Sequence, residues 1–241
     1  MILMEQLSEA GRLSGVFHAP AETFPDVAER GHWWIPALIM IVMGLIFVSL
    51  FVQRVGFDRM IQKTMEASTR MQDMPADQKA AAVAMQRKMM PVFMYAGPPV
   101  ATLMGIIIVG GVLLFVMNSL MDAGLRYKQS LNISAYAMLP AGLVSSVLTC
   151  VVMFIKPPDE FDIEHALAFN AGAFLPEAAS KYLVSLASSF DLFTFWTIAL
   201  MAIGFSVTVG ARKLPFSKAL IAIVIPWGFW VLIKMGLAAF R

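Results

Sequence analysis

The stretch WWIPALIMIVMGLIFVSLFV, residues 33–52, runs for twenty residues without a charge. At about 1.5 Å of rise per residue a helix of that length covers about 30 Å, the thickness of a bilayer's hydrocarbon core. Four comparable stretches follow at 95–117, 131–155, 192–210 and 219–240, and Lys234 is the only charged side chain in any of the five. In hydrocarbon a segment must pair its own backbone polar groups, which a helix does. The sequence therefore predicts an all-α fold, an integral membrane helical bundle of five transmembrane helices plus short interfacial helices. It divides into an N-terminal interfacial segment, 1–32, and a five-span membrane domain, 33–241.

Composition agrees. The 241 residues are 59% hydrophobic and 14% charged, with a mean hydropathy of +0.74, whereas a soluble domain carries about 25% charged residues. A formal net charge of +2 gives no electrostatic ground for a nucleic-acid partner. The single cysteine, Cys150, cannot close an intrachain disulfide and reads as a packing residue in the third span.

The segment before the first span has an acidic rather than a basic start, so no cleavable signal peptide is expected and the first span serves as the insertion signal. Pro20 stands where a first-turn proline opens a helix. Phe24, Val27 and Ala28 then share one face, with Glu22, Asp26 and Glu29 on the other, which predicts a helix on the membrane surface packed against the bundle or a partner. His32, Trp33 and Trp34 mark the interface where the first span begins.

Residues 54–90 form the longest polar stretch. Phe57, Met60, Ile61, Met65, Ser68 and Met71 recur at helical spacing, Pro75 interrupts, and a second helix is expected to lead toward the second span. This is a helical hairpin with a Met-rich face. It lacks His and Cys, so packing is favoured over Cu(I) binding.

Proline recurs inside the spans, at Pro98 and Pro99, at Pro140 and at Pro226, with Pro36 near an end. Each removes a backbone donor, so these are candidate helix-break positions: kinks that serve packing, or discontinuous helices whose freed groups meet a substrate. Small residues repeat every four positions at Ala101 and Gly105, at Gly142, Ser146 and Cys150, and at Ala202, Ser206 and Gly210, where helix backbones can approach closely. After Lys156, Pro157 and Pro158 an acidic cluster of Asp159, Glu160, Asp162 and Glu164 with His165 reads as a solvated face, since it lacks the glycine turn and spacing of a calcium loop. An amphipathic helix is expected from 176 to 190.

No metalloprotease motif, Gly-rich phosphate loop or intramembrane carboxylate pair is present, so catalysis, metal and cofactor are not expected. The polar pair worth singling out is Asp191, at the start of the fourth span, and Lys234, late in the fifth. A short connection makes those spans antiparallel, so both residues belong to one membrane face. Either they meet, or Asp191 caps its helix while Lys234 reaches independently toward the interface.

Three groups of residues resemble the Yip (Ypt-interacting-protein) domain family. The first is Gly15-Val16-Phe17 with Pro20, Thr23, Phe24 and Trp34-Ile35-Pro36. The second runs from Tyr127-Lys128-Gln129 through Ala135-Tyr136-Ala137 to Leu139-Pro140. The third is Phe169-Asn170, Phe174-Leu175-Pro176, Phe190-Asp191-Leu192-Phe193, Trp196, Gly204 and Lys218-Ala219. The resemblance implies a five-span protein whose eukaryotic relatives act in vesicle traffic and contact Rab-type GTPases through a cytoplasmic N-terminal region. This chain is similar to bacterial members in its short N-terminal segment and long first loop, so GTPase binding is not carried over. For a bacterial member the expected location is the cell (inner) membrane.

Loop charge sets the expected orientation. Arg126 and Lys128 in one short connection, and Arg212, Lys213 and Lys218 in another, share a side, while the 156–189 stretch opposite is acidic. The 54–90 loop argues against this with seven bases, but mixes them with four acids. The short connections and the family resemblance place the N-terminus in the cytoplasm and the C-terminus outside. The expected function is a non-catalytic membrane scaffold or adaptor organising proteins or lipids; the alternative is a transporter or lipid-handling protein with a site among the Pro-interrupted spans. Expected partners are membrane lipids, with other membrane proteins or a second copy of the chain as further candidates.

Overall fold

The structure, a computed structural model, describes residues 6–67, 74–158, 160–161, 166–176 and 179–238. Nine α-helices are described: α1 Glu9–His18, α2 Pro20–Arg30, α3 Trp34–Arg54, α4 Phe57–Ala67, α5 Ala76–Met121, α6 Tyr127–Ile155, α7 Lys181–Ala187, α8 Leu192–Val209 and α9 Phe216–Ala238. Five of them, α3, α5, α6, α8 and α9, are long and apolar enough to cross a membrane.

Helix α6 is the centre of the bundle, packing against α3, α5 and α8, while α9 closes the far side on α8 and α5. Its N-terminal half is buried on all sides, with Ile133, Tyr136 and Leu139 fully enclosed beside Met117 of α5 and Phe205 of α8. Close approach needs small residues at the contacts. A Cβ on Gly110 would lie 2.8 Å from the Leu131 side chain, and one on Gly204 2.7 Å from Ile133. The outward faces stay apolar: Leu38, Val42 and Ile46 recur every fourth residue along α3 and are exposed, while Ala37, Val48 and Phe51 turn inward. A helix apolar on both faces, one against protein and one against lipid, is what a bundle in a bilayer requires.

The candidate break positions do not break. Pro98 and Pro99, with Pro91, lie inside the continuous α5, Pro140 inside α6 and Pro226 inside α9. Lipid offers no partner to backbone groups freed by an interruption, so continuing the helix around a missing donor is the cheaper solution. Pro98 instead marks a crossing, since a Cβ on Gly44 of α3 would come within 2.8 Å of its ring.

The first loop contains α4 and the N-terminal part of α5, which pack together. Pro75 precedes α5, which then runs for 46 residues, about 70 Å, far more than a bilayer needs. Ser68 and Met71 of the expected hairpin lie outside the described residues, as do Asp159, Asp162, Glu164 and His165 of the acidic cluster. Glu160 is exposed. The helix expected over 176–190 is shorter, spanning Lys181–Ala187. It stands beside a single turn of 3-10 helix, Ala171–Phe174, and a bridge pairing Asn170 with Asp191.

Candidate functional site

The densest polar assembly joins the two N-terminal helices to the start of α6. Helices α1 and α2 form a hairpin around Ala19, close enough that a Cβ on Gly15 would fall on the Thr23 side chain. The hairpin lies across α6 and α8 at the membrane face that also carries the 122–126 and 210–215 connections. Phe24 and Val27 enter the core, and Phe24 rests against Gly204 of α8.

Helix α2 was expected to pack against the bundle or a partner, and within its acidic face Asp26 is buried. Arg12 of α1 lies over it, with Nε donating to Oδ2 at 2.5 Å, and Arg30 donates to Oδ1 at 2.8 Å. The pair forms because the hairpin folds one amphipathic helix onto the other, so each charge loses water and gains its opposite. Burial opposes the charge on Arg12, but the hydrogen bond and attraction from Asp26, together with Glu9, outweigh it and hold the guanidinium more firmly protonated than usual.

Glu9 is the hub. Its Oε1 accepts from Arg12 at 2.8 Å and lies 2.5 Å from His32 Nδ1, and its Oε2 accepts from the Tyr136 hydroxyl at 2.6 Å. Burial works to raise this carboxyl's pKa. The hydrogen bonds from Tyr136 and His32 and the positive charge of Arg12 prevail, so it sits below the ordinary value. Asn132, fully buried one turn before Tyr136, completes the joint. Its carbonyl accepts from Trp33 N–H at 3.0 Å, and its amide donates to the carbonyls of Val27, Ala28 and Gly31 at 3.0, 3.3 and 2.9 Å. One side chain thus caps the C-terminal end of α2 and fixes the entry to α3. At the edge, Glu29 accepts from Arg126 and Gln129.

A family model for the Yip1 domain matches residues 14–238. The chain belongs to the Yip1 domain family. No curated protein and no solved structure matches it. Several of the residues that carry the family likeness meet at this joint, Gly15 against Thr23, Phe24 against Gly204 and Tyr136 on Glu9, whereas Asn170 and Asp191 pair at the opposite face. Glu9, Arg12 and Asn132 escaped the sequence reading. The available signal was a concentration of polar residues, Gln129, Ser130, Asn132 and Ser134, where an apolar span was beginning.

At the opposite face the Yip1 bundle is tied by side chains acting singly. Arg54, ending α3, donates to the carbonyls of Met153, Phe154 and Lys156 at 2.7, 3.0 and 3.0 Å, capping the C-terminus of α6 with positive charge where the dipole favours it. Asp191 and Lys234 share this face. Asp191 caps α8, accepting from the backbone N–H of Phe193 and Thr194 at 2.9 and 3.0 Å and from the Thr194 hydroxyl. Lys234 donates to Ser189 Oγ at 3.3 Å. No ion pair joins the two, because the cap turns the Asp191 carboxylate onto its own helix. Two grooves, of about 450 and 360 Å³, lie outside the spans' packed contacts on the hairpin of α4 and α5. The first is lined by Asp58, Ile61, Gln62, Met65, Lys79, Val83 and Arg87, and the second by Met60, Gln86, Met89, Met90, Phe93 and Met94.

Proposed function

We propose that this Yip1 family protein is a non-catalytic membrane scaffold or adaptor, with the α1–α2 cap and the two basic connections facing the cytoplasm and the C-terminus outside. The distribution of buried polar side chains carries this reading. Among the described residues they are Arg12, Thr23, Asp26, Gln129, Ser130, Asn132, Ser134, Ser189 and Ser206. All belong to the cap, to the ends of spans or to the stretch beside α8, and those of the cap are engaged in holding helices together. A transport path needs polar groups that converge at mid-depth. Midway along α6 the half-buried Ser145 and Thr149 bond to carbonyls of their own helix rather than across a path, which supports a body that presents surfaces to neighbours.

Reconstitution separates this reading from the lipid-handling alternative. Vesicles containing the protein and a fluorescent phospholipid are bleached from outside with dithionite, and the scaffold reading expects bleaching at the protein-free rate. Photocrosslinkers on exposed cap positions such as Glu22, introduced in cells, should trap discrete adducts with membrane proteins or further copies. Protein-dependent flipping without adducts would reverse the conclusion.

A further inference from the structure

We propose that the membrane face carrying the 122–126 and 210–215 connections binds the headgroups of anionic phospholipids in the apposed leaflet. This goes beyond the scaffold reading and does not depend on it. The two connections are neighbours, since Lys213 of one reaches Asp122 of the other at 3.4 Å. Five bases, Arg126, Lys128, Arg212, Lys213 and Lys218, stand in or beside these connections, next to Arg12 and Arg30 of the cap, and the acids there are largely taken. Glu9 and Asp26 are engaged inside the cap, Glu29 pairs with Arg126, and Asp122 pairs with Lys213. That leaves Lys128, Arg212 and Lys218 exposed and without an acidic partner, against Glu22 as the one exposed acid of α2 outside an ion pair, among the described residues.

Their surroundings suit a headgroup. Tyr127 and Phe216, next to Lys128 and near Lys218 in sequence, are 43% and 44% exposed, and Trp34 on the same face is 53% exposed. Aromatic side chains of this kind sit at headgroup level. Aromatic groups at that level would hold Lys128 and Lys218, their neighbours in sequence, among phosphates. Each basic residue near an anionic surface is worth about 1 kcal/mol, which is about fivefold in lipid retention.

The test uses the full chain in nanodiscs of phosphatidylcholine and phosphatidylglycerol in equal parts, with lipids retained on release counted by native mass spectrometry. Phosphatidylglycerol should be retained over phosphatidylcholine. The variant Lys128→Gln/Arg212→Gln/Lys218→Gln should lose about fivefold of that preference per cation removed. Lys128→Arg/Lys218→Arg should keep it, as should Lys88→Gln/Lys156→Gln, which neutralises bases elsewhere. Unchanged melting temperatures of all three variants would show that the exposed substitutions leave the fold intact. Equal preference in the triple-glutamine variant and the wild type would overturn the proposal. So would loss of retention on adding inorganic phosphate, which would assign the site to free phosphate.

Discussion

Two helical hairpins flank the bundle, and they treat the same chemistry in opposite ways. In the α1–α2 cap, Arg12 and Asp26 pair with side chains only 8% and 4% exposed. In the α4–α5 hairpin, Arg87 and Asp58 pair at 2.9 Å with side chains 63% and 76% exposed. Both hairpins are amphipathic and mixed in charge. The cap lies across two spans and is sealed by Asn132 and Tyr136 from below, whereas the α4–α5 hairpin packs chiefly on itself. An ion pair's meaning depends on its surroundings: removing one partner strands a charge in the cap, and merely hydrates one on the hairpin.

The sharpest way to break this contrast is Asp26→Asn. It leaves the buried Arg12 guanidinium without its principal partner and is expected to cost about 3 kcal/mol in detergent unfolding, with Asp26→Leu/Arg12→Met recovering part of the loss. A cost below about 0.5 kcal/mol would place the cap in the hairpin's class. Next comes Asn132→Leu, which takes the side-chain partner from the Trp33 N–H and from the carbonyls of Ala28 and Gly31, while that of Val27 keeps the Gly31 N–H, and is expected to cost about 2 kcal/mol. Hydrogen exchange should then quicken in α2 while α4 is unaffected.

Asp191→Ala removes a cap and should cost about 1 kcal/mol. Because Asp191 bonds its own helix and Lys234 bonds Ser189, the double variant with Lys234→Met should be additive to within about 0.5 kcal/mol; stronger coupling would show a pair in the membrane. Glu9 gives the cap a pH dependence. Its lowered carboxyl contributes stability that is fully present above the ordinary glutamate value of about 4.3 and is lost as pH falls through the folded value. Acid titration of the melting temperature should show this slope, and Glu9→Gln should flatten it. The smallest effect belongs to Arg87→Ala, expected within about 0.5 kcal/mol. A larger loss would mean that the α4–α5 hairpin is held by its surface pair.

The legible parts were those governed by local rules. The uncharged run at 33–52 appears as α3 over Trp34–Arg54, and Pro20 stands at the first turn of α2. Pro98, Pro99, Pro140 and Pro226 left two readings open, packing kinks or discontinuous helices, and the helices run on through all four. The burial of Asp26 was not legible in the sequence. Periodicity says which face of a helix is polar, but only the neighbouring helix says whether that face meets water.

Length, hydropathy and spacing by themselves determined that this is a five-span helical membrane protein with flanking amphipathic helices, because bilayer thickness and backbone pairing act on each segment separately. The family likeness was readable in the same way, residue by residue along the chain. Only the tertiary structure decided that Glu9, Arg12, Asp26, His32, Asn132 and Tyr136 form one joint, and that Asp191 spends its carboxylate on its own helix. Those outcomes depend on which helices touch, and residues up to 127 positions apart, as Glu9 and Tyr136 are, meet only when the bundle is assembled.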